Sequence, residues 1–78
     1  VPRFFFHIYD DEIALDEEGL ELADRETARR VAVRGARALA CEQVTRGELH
    51  LGHRIDVSGE GDTGLFSVRF GDAVAITD

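Results

Sequence analysis

The run Arg3-Phe4-Phe5-Phe6-His7-Ile8-Tyr9 constrains this chain more than any other stretch. Successive side chains of a strand point to opposite faces, so a strand covered on one side needs an apolar residue only at every second position. Here both sets are bulky. Phe4, Phe6 and Ile8 form one, and Phe5, His7 and Tyr9 form the other together with Arg3. Such a strand carries a core on one side and a crowded, partly aromatic surface on the other. Asp10, Asp11 and Glu12 follow at once and mark a turn.

The next segment reads as a divided strand. Ile13 to Leu15 is one piece and Leu20 to Leu22 the other, with Asp16 to Gly19 forming a bend or bulge in which Gly19 is free to take a positive φ. Asp24 is an expected helix N-cap, Glu26 suits the positive end of the helix dipole, and Gly47 is the expected stop of a helix over residues 25–45. Ala28, Val31, Ala32, Gly35, Ala38 and Leu39 recur at helical spacing and define the expected buried face, opposite Arg30, Arg34 and Arg37. Small residues there let the helix lie close to a sheet whose own side chains are large. His53 to Ser58 and Leu65 to Phe70 alternate as strands around an acidic, glycine-rich turn over residues 59–64. Phe66, Val68 and Phe70 are expected inward, Leu65, Ser67 and Arg69 outward, and Ala73 to Ile76 as an apolar tail on an edge.

The order ββαββ predicts a single α+β domain over residues 1–78, a mostly antiparallel sheet with one helix across one face. The uncovered face then carries Phe5, His7, Tyr9, Leu65 and Arg69, the candidate interaction face. A chain of 78 residues buries only about 60–65% of its unfolded surface, so stability is thin and small domains often add disulfides, metals or partners. With a single cysteine, Cys41, an intrachain disulfide is excluded. A lone thiol suits a reducing compartment, and neither a membrane-length apolar stretch nor a signal pattern is seen, so a cytoplasmic protein is expected.

The net charge of −7 sets an average field that repels phosphate, which makes nucleic acid an improbable partner and a basic protein a better one. Nine of the sixteen acids lie between Asp10 and Glu26, and five of the nine arginines between Arg25 and Arg37. Lysine is absent, which fits genomic base composition.

PRFFFHI, DEEGLEL, Asp24 with ETARR, HRIDV and FGDAV together resemble a family of small alphaproteobacterial proteins classed as a domain of unknown function. The resemblance covers nearly the whole chain, with Phe4 where that family commonly has tyrosine. It implies a stand-alone soluble bacterial protein with no assigned activity and supplies no site. In arrangement more than in residues, the chain is also similar to the acidic HicB-type antitoxin domains that sequester a basic toxin.

No constellation points to catalysis. His50 and His53 are three apart, a spacing that separates them on an extended segment, and His53 is expected to be a hydrogen-bonded histidine rather than a metal ligand. Asp16-Glu17-Glu18-Gly19 lacks the ligand spacing of a calcium loop. Cys41 sits toward the helix C-terminus, where the dipole disfavours a thiolate, and the glycine-rich GEGDTG segment opens no helix and carries acids. The expectation is a non-enzyme without cofactor or metal: a protein-interaction or homo-oligomeric module. The alternatives are an antitoxin-like binder using the acidic segment 10–21, and weak nucleic-acid binding through Arg30, Arg34 and Arg37.

Overall fold

The computed structural model describes all 78 residues, with side chains described for all but residues 62 and 63. The elements are β1 (Arg3–Tyr9), β2 (Ile13–Ala14), β3 (Leu20–Glu21), α1 (Arg25–Thr45), β4 (Arg54–Gly59), β5 (Asp62–Arg69) and α2 (Phe70–Ala73). All pairings are antiparallel in the order β2-β1-β4-β5, and β3 joins β1 on the same side as β2. The divided second strand thus forms an interrupted arm along one edge, β2 against Ile8 and Tyr9, β3 against Arg3 and Phe4.

α1 begins and ends where expected. Asp24 Oδ1 accepts from the Thr27 N–H (2.8 Å) and hydroxyl (2.7 Å), satisfying helix donors that have no partner of their own. Gly47 closes the helix with a φ of +83°, which only glycine adopts without strain. The face that α1 buries includes Ala28 and Ala32, as expected, but is rotated away from the other four expected residues. Its centre is Ala28, Ala32, Ala36 and Ala40, a row at four-residue spacing, continued by Gln43. Val31, Gly35 and Leu39 are only half-buried and Ala38 is exposed. Alanines bring the helix axis close to Phe4, Ile55, Val57, Val68 and Phe70, the large members of the core.

α1 rests on β4 and β5 rather than on β1. Phe6 and Ile8, on the same side of the sheet as Phe4, therefore lie in the uncovered half and remain half-buried. Among the described residues no second helical layer covers the opposite face, and the shortest extent of the backbone, 16 Å, fits one sheet and one layer of helix.

Three expectations near the C-terminus change. β5 starts earlier than expected, and Phe70 opens the short α2 instead of ending the strand, held by Phe70 N–H to His53 O (2.8 Å) and Gly71 N–H to Leu51 O (3.0 Å). At Gly71 a Cβ would lie 3.2 Å from both Leu51 O and Leu51 Cβ, a tight contact where the chain turns past that loop. The apolar tail leaves the sheet edge and lines the flank of α1, where Arg37 Nε donates to Ala73 O at 2.6 Å.

Candidate functional site

The aromatic face of β1 lies away from α1 and forms a cross-strand lattice. Register places Tyr9 beside Arg54 and Arg54 beside Arg69, His7 beside Asp56 and Asp56 beside Ser67, and Phe5 beside Ser58. The lattice is polar and tied together. The Arg54 guanidinium lies 4.2 Å from the Tyr9 ring centre while its Nε donates to Asp56 Oδ1 (2.8 Å), which also accepts from Ser67 Oγ (2.6 Å). Burial would raise the Asp56 pKa, but these donors from Ser67 and Arg54 hold it below the usual aspartate range. His7 Nδ1 accepts from the Asp16 N–H (3.0 Å), so the neutral ring carries its proton on Nε2 and donates to Ser58 Oγ (3.0 Å). Leu65 departs from its expected place. β5 carries an irregularity opposite Ser58, and Leu65 packs against the core cluster instead of extending the aromatic row.

Asp16 organises the gap between β2 and β3. Its Oδ2 accepts from the Phe6 N–H (3.1 Å) and its Oδ1 from the N–H groups of Glu18 (3.1 Å) and Gly19 (3.0 Å). The carboxylate thus replaces the strand partner that β1 lacks between its two short neighbours. Partial burial pushes the Asp16 pKa up, and the Gly19, Phe6 and Glu18 amides, with His7 nearby, bring it below the usual value. Gly19 is required here for two reasons. Its φ is +72°, and a Cβ would sit 2.8 Å from Phe4 O and 2.9 Å from the Phe5 ring that folds over it.

An apolar groove lies on the other side of the sheet. Because α1 rests mainly on β4 and β5, an open groove of about 430 Å³ runs between the helix flank and the edge arm. Phe6, Ile8 and Leu20 form its floor and outer wall, and Val31, Gly35 and Leu39 its helical wall. Asp16 reaches its rim. Leu20 is 50% exposed, and Leu15, next to the arm's interruption, is 62% exposed. The sequence pattern held the signal for this groove without its meaning. Of the expected buried face of α1, Val31, Gly35, Ala38 and Leu39 form the helical wall of the groove, whereas Ala28 and Ala32 belong to the alanine row that meets the sheet.

The three groups Asp11, His50 and His53 converge, with ligand atoms within 4.8 Å of one another. Gln43 Oε1 accepts from the His50 N–H (2.9 Å), which turns its NH₂ toward His53 Nδ1 (2.8 Å) and leaves the ring's proton on Nε2, 3.8 Å from Asp11 Oδ1. His50 and His53 stack with centres 4.5 Å apart and 15° between planes. An ion lies in the plane of each imidazole that binds it at about 2.1 Å, and two nearly parallel planes share no such point. His53 is thus stacked on His50 and hydrogen-bonded to Gln43 in the segment between α1 and β4.

Of the basic patch, Arg30 and Arg34 gather with Arg29 around a shallow hollow that Glu26, Val33 and Arg37 complete, while the Nε–H of Arg37 is committed to Ala73 O. Arg25 and Arg29 cover the Phe66 ring, at 5.5 and 4.4 Å from its centre. Cys41 is exposed. No helix is long and apolar enough to cross a membrane among the described residues.

No curated protein and no solved structure matches the chain. A family model matches residues 3–71, within which lie β1, the edge arm, α1, β4 and β5, and the chain belongs to that family, the domain of unknown function DUF6894.

Proposed function

We propose that this chain is a non-catalytic association module whose apolar groove seats a second copy of itself. The observation that carries the reading is the half-covered face: α1 shields β4 and β5 and leaves Phe6, Ile8 and Leu20 open beside a helical flank of Val31, Gly35 and Leu39. Leaving such a surface in water is costly, at about 25 cal/mol for each Å² of apolar area that could be covered. A domain of this size also gains from association the stability that a small core withholds.

The aromatic face is less suited to the task. Tyr9, His7 and Asp56 already have partners within the chain, and the described residues include no buried side-chain polar atom without one. Its polar lattice is at home in water. Net charge of −7 speaks against nucleic acid as the main occupant, and the lone thiol suits a reducing compartment.

Sedimentation equilibrium tests the proposal. The wild-type mass should rise with concentration from the 8.6 kDa of one chain toward twice that value. Leu39→Glu and Leu20→Asp, each confirmed folded by circular dichroism, should stay monomeric, whereas Phe5→Ser with Tyr9→Ser should associate like wild type. A monomeric wild type, or loss of association only in the aromatic pair, would sink the groove as the interface.

A further inference from the structure

We propose that His7 is a pH-sensitive switch on the bend that carries Asp16, closed while the imidazole is neutral and opened when it takes up a proton. His7 is held at both ring nitrogens. Its Nε2 meets Ser58 Oγ of β4 at 3.0 Å, and its Nδ1 accepts from the Asp16 N–H at 3.0 Å, tying the bend to the sheet. A hydroxyl can turn to suit a second proton on the ring, but a main-chain N–H only donates. The Asp16 contact therefore exists for the neutral ring alone. A protonated ring carries N–H on both nitrogens, and two donors then face each other at Nδ1. Imidazole ordinarily charges between about pH 8 and 5, so the closed form is complete above that range and is lost as pH falls through it.

The charges around His7 welcome the proton. Asp56 of β4 stands opposite it in register, with Arg54 bonded to that carboxylate, and the bend brings Asp16 together with the exposed Glu17 and Glu18, while Arg3 of β1 donates to Glu18 O. The contact with the Asp16 N–H opposes the proton, and moving the bend removes that opposition. Little else holds the bend in place. β2 and β3 are two residues each, and between them the chain is fixed by the Arg3 bond to Glu18 O and by the Asp16 carboxylate, which accepts from Phe6, Glu18 and Gly19. The new N–H on His7 competes with those amides for the same carboxylate. Leu20 follows Gly19 directly and belongs to the outer wall of the groove, so acid acts on that wall. Its effect on association rests on the groove reading above, whereas the switch belongs to a single chain.

Amide hydrogen exchange tests the switch, on chains confirmed folded by circular dichroism and with rates corrected for the intrinsic effect of pH. Between about pH 7.5 and 5 the Asp16 and Gly19 N–H groups of wild type should lose about tenfold in protection, the worth of one hydrogen bond. His7→Asn, whose side-chain oxygen accepts where Nδ1 does and does not titrate, should stay protected at both pH values. His7→Phe offers no acceptor and should show the low protection at both. Wild-type protection that holds at the lower pH would overturn the proposal, and so would an equal loss in His7→Asn, which would assign the response to another group. Leu39→Glu should respond as wild type does, and a response confined to wild type would make it an effect of association instead. A wild type that is monomeric at both pH values and still shows the response would remove the groove reading and leave the switch standing.

Discussion

Asp16 shows how one carboxylate can take over the work of a missing strand. It accepts three backbone N–H groups and ties the interrupted arm to β1, so replacing it leaves donors without partners in a partly buried place. Asp16→Ala should cost about 2–3 kcal/mol in urea unfolding, the range for losing hydrogen bonds to a charged acceptor. Since the folded-state pKa of Asp16 lies below its ordinary value, its contribution is complete above about pH 4. It fades as pH falls through the folded value, when the unfolded chain binds the proton first. Asp24, whose carboxylate accepts from the Thr27 hydroxyl and N–H, and Asp56 follow the same direction. Stability measured from pH 6 to pH 2 should therefore fall on the acid side, and Asp16→Asn should flatten part of that fall; an unchanged profile would show that the arm does not depend on the charge. The bend at Asp16 to Gly19 was readable from the glycine and the acids, but the acceptance of a β1 amide by Asp16 was not, because it joins residues ten apart through a side chain.

Among the elements, α1 was the most legible and also the source of the main error. Asp24 and Gly47 mark its ends by local chemistry, which needs no knowledge of the rest of the chain. Which arc of α1 meets the sheet depends on where the helix lands. The apolar arc runs from Leu39 and Ala36 round to Val31 and Ala38, wider than a single sheet contact covers, and periodicity alone cannot say which part is core and which is open. The same dependence on tertiary placement hid α2, whose Phe70 continues an alternating strand pattern but turns where the carbonyls of His53 and Leu51 accept from the amides of Phe70 and Gly71. Ala36 and Ala38 separate the two roles of the helix. Ala36 is fully buried against the sheet, so Ala36→Leu should destabilise the fold by about 1–3 kcal/mol through overpacking. Ala38 is exposed on the groove side, and Ala38→Leu should leave monomer stability within about 0.5 kcal/mol. Equal costs for the two in chemical denaturation would mean that the helix sits elsewhere on the sheet.

For the whole molecule, the half-covered sheet makes stability a matter of concentration. The aromatic run in β1 announced a sheet with bulk on both sides, and the lattice around Tyr9 and His7 accounts for the outer bulk without a partner. The inner bulk of Phe6 and Ile8 has no such account within one chain, since α1 passes beside it. If a second copy supplies the cover, folding and association are linked, and the native state gains free energy as the logarithm of protein concentration. Each tenfold rise is then worth about 1.4 kcal/mol, which for a dimer of this size moves the thermal midpoint by roughly 3–6 °C. Melting followed by circular dichroism over two decades of concentration should show that rise in wild type. Leu39→Glu should melt lower and at one temperature throughout, because its groove can no longer take up a second copy. A wild-type midpoint that stays fixed over that range would mean that the uncovered half of the sheet faces water in the native state.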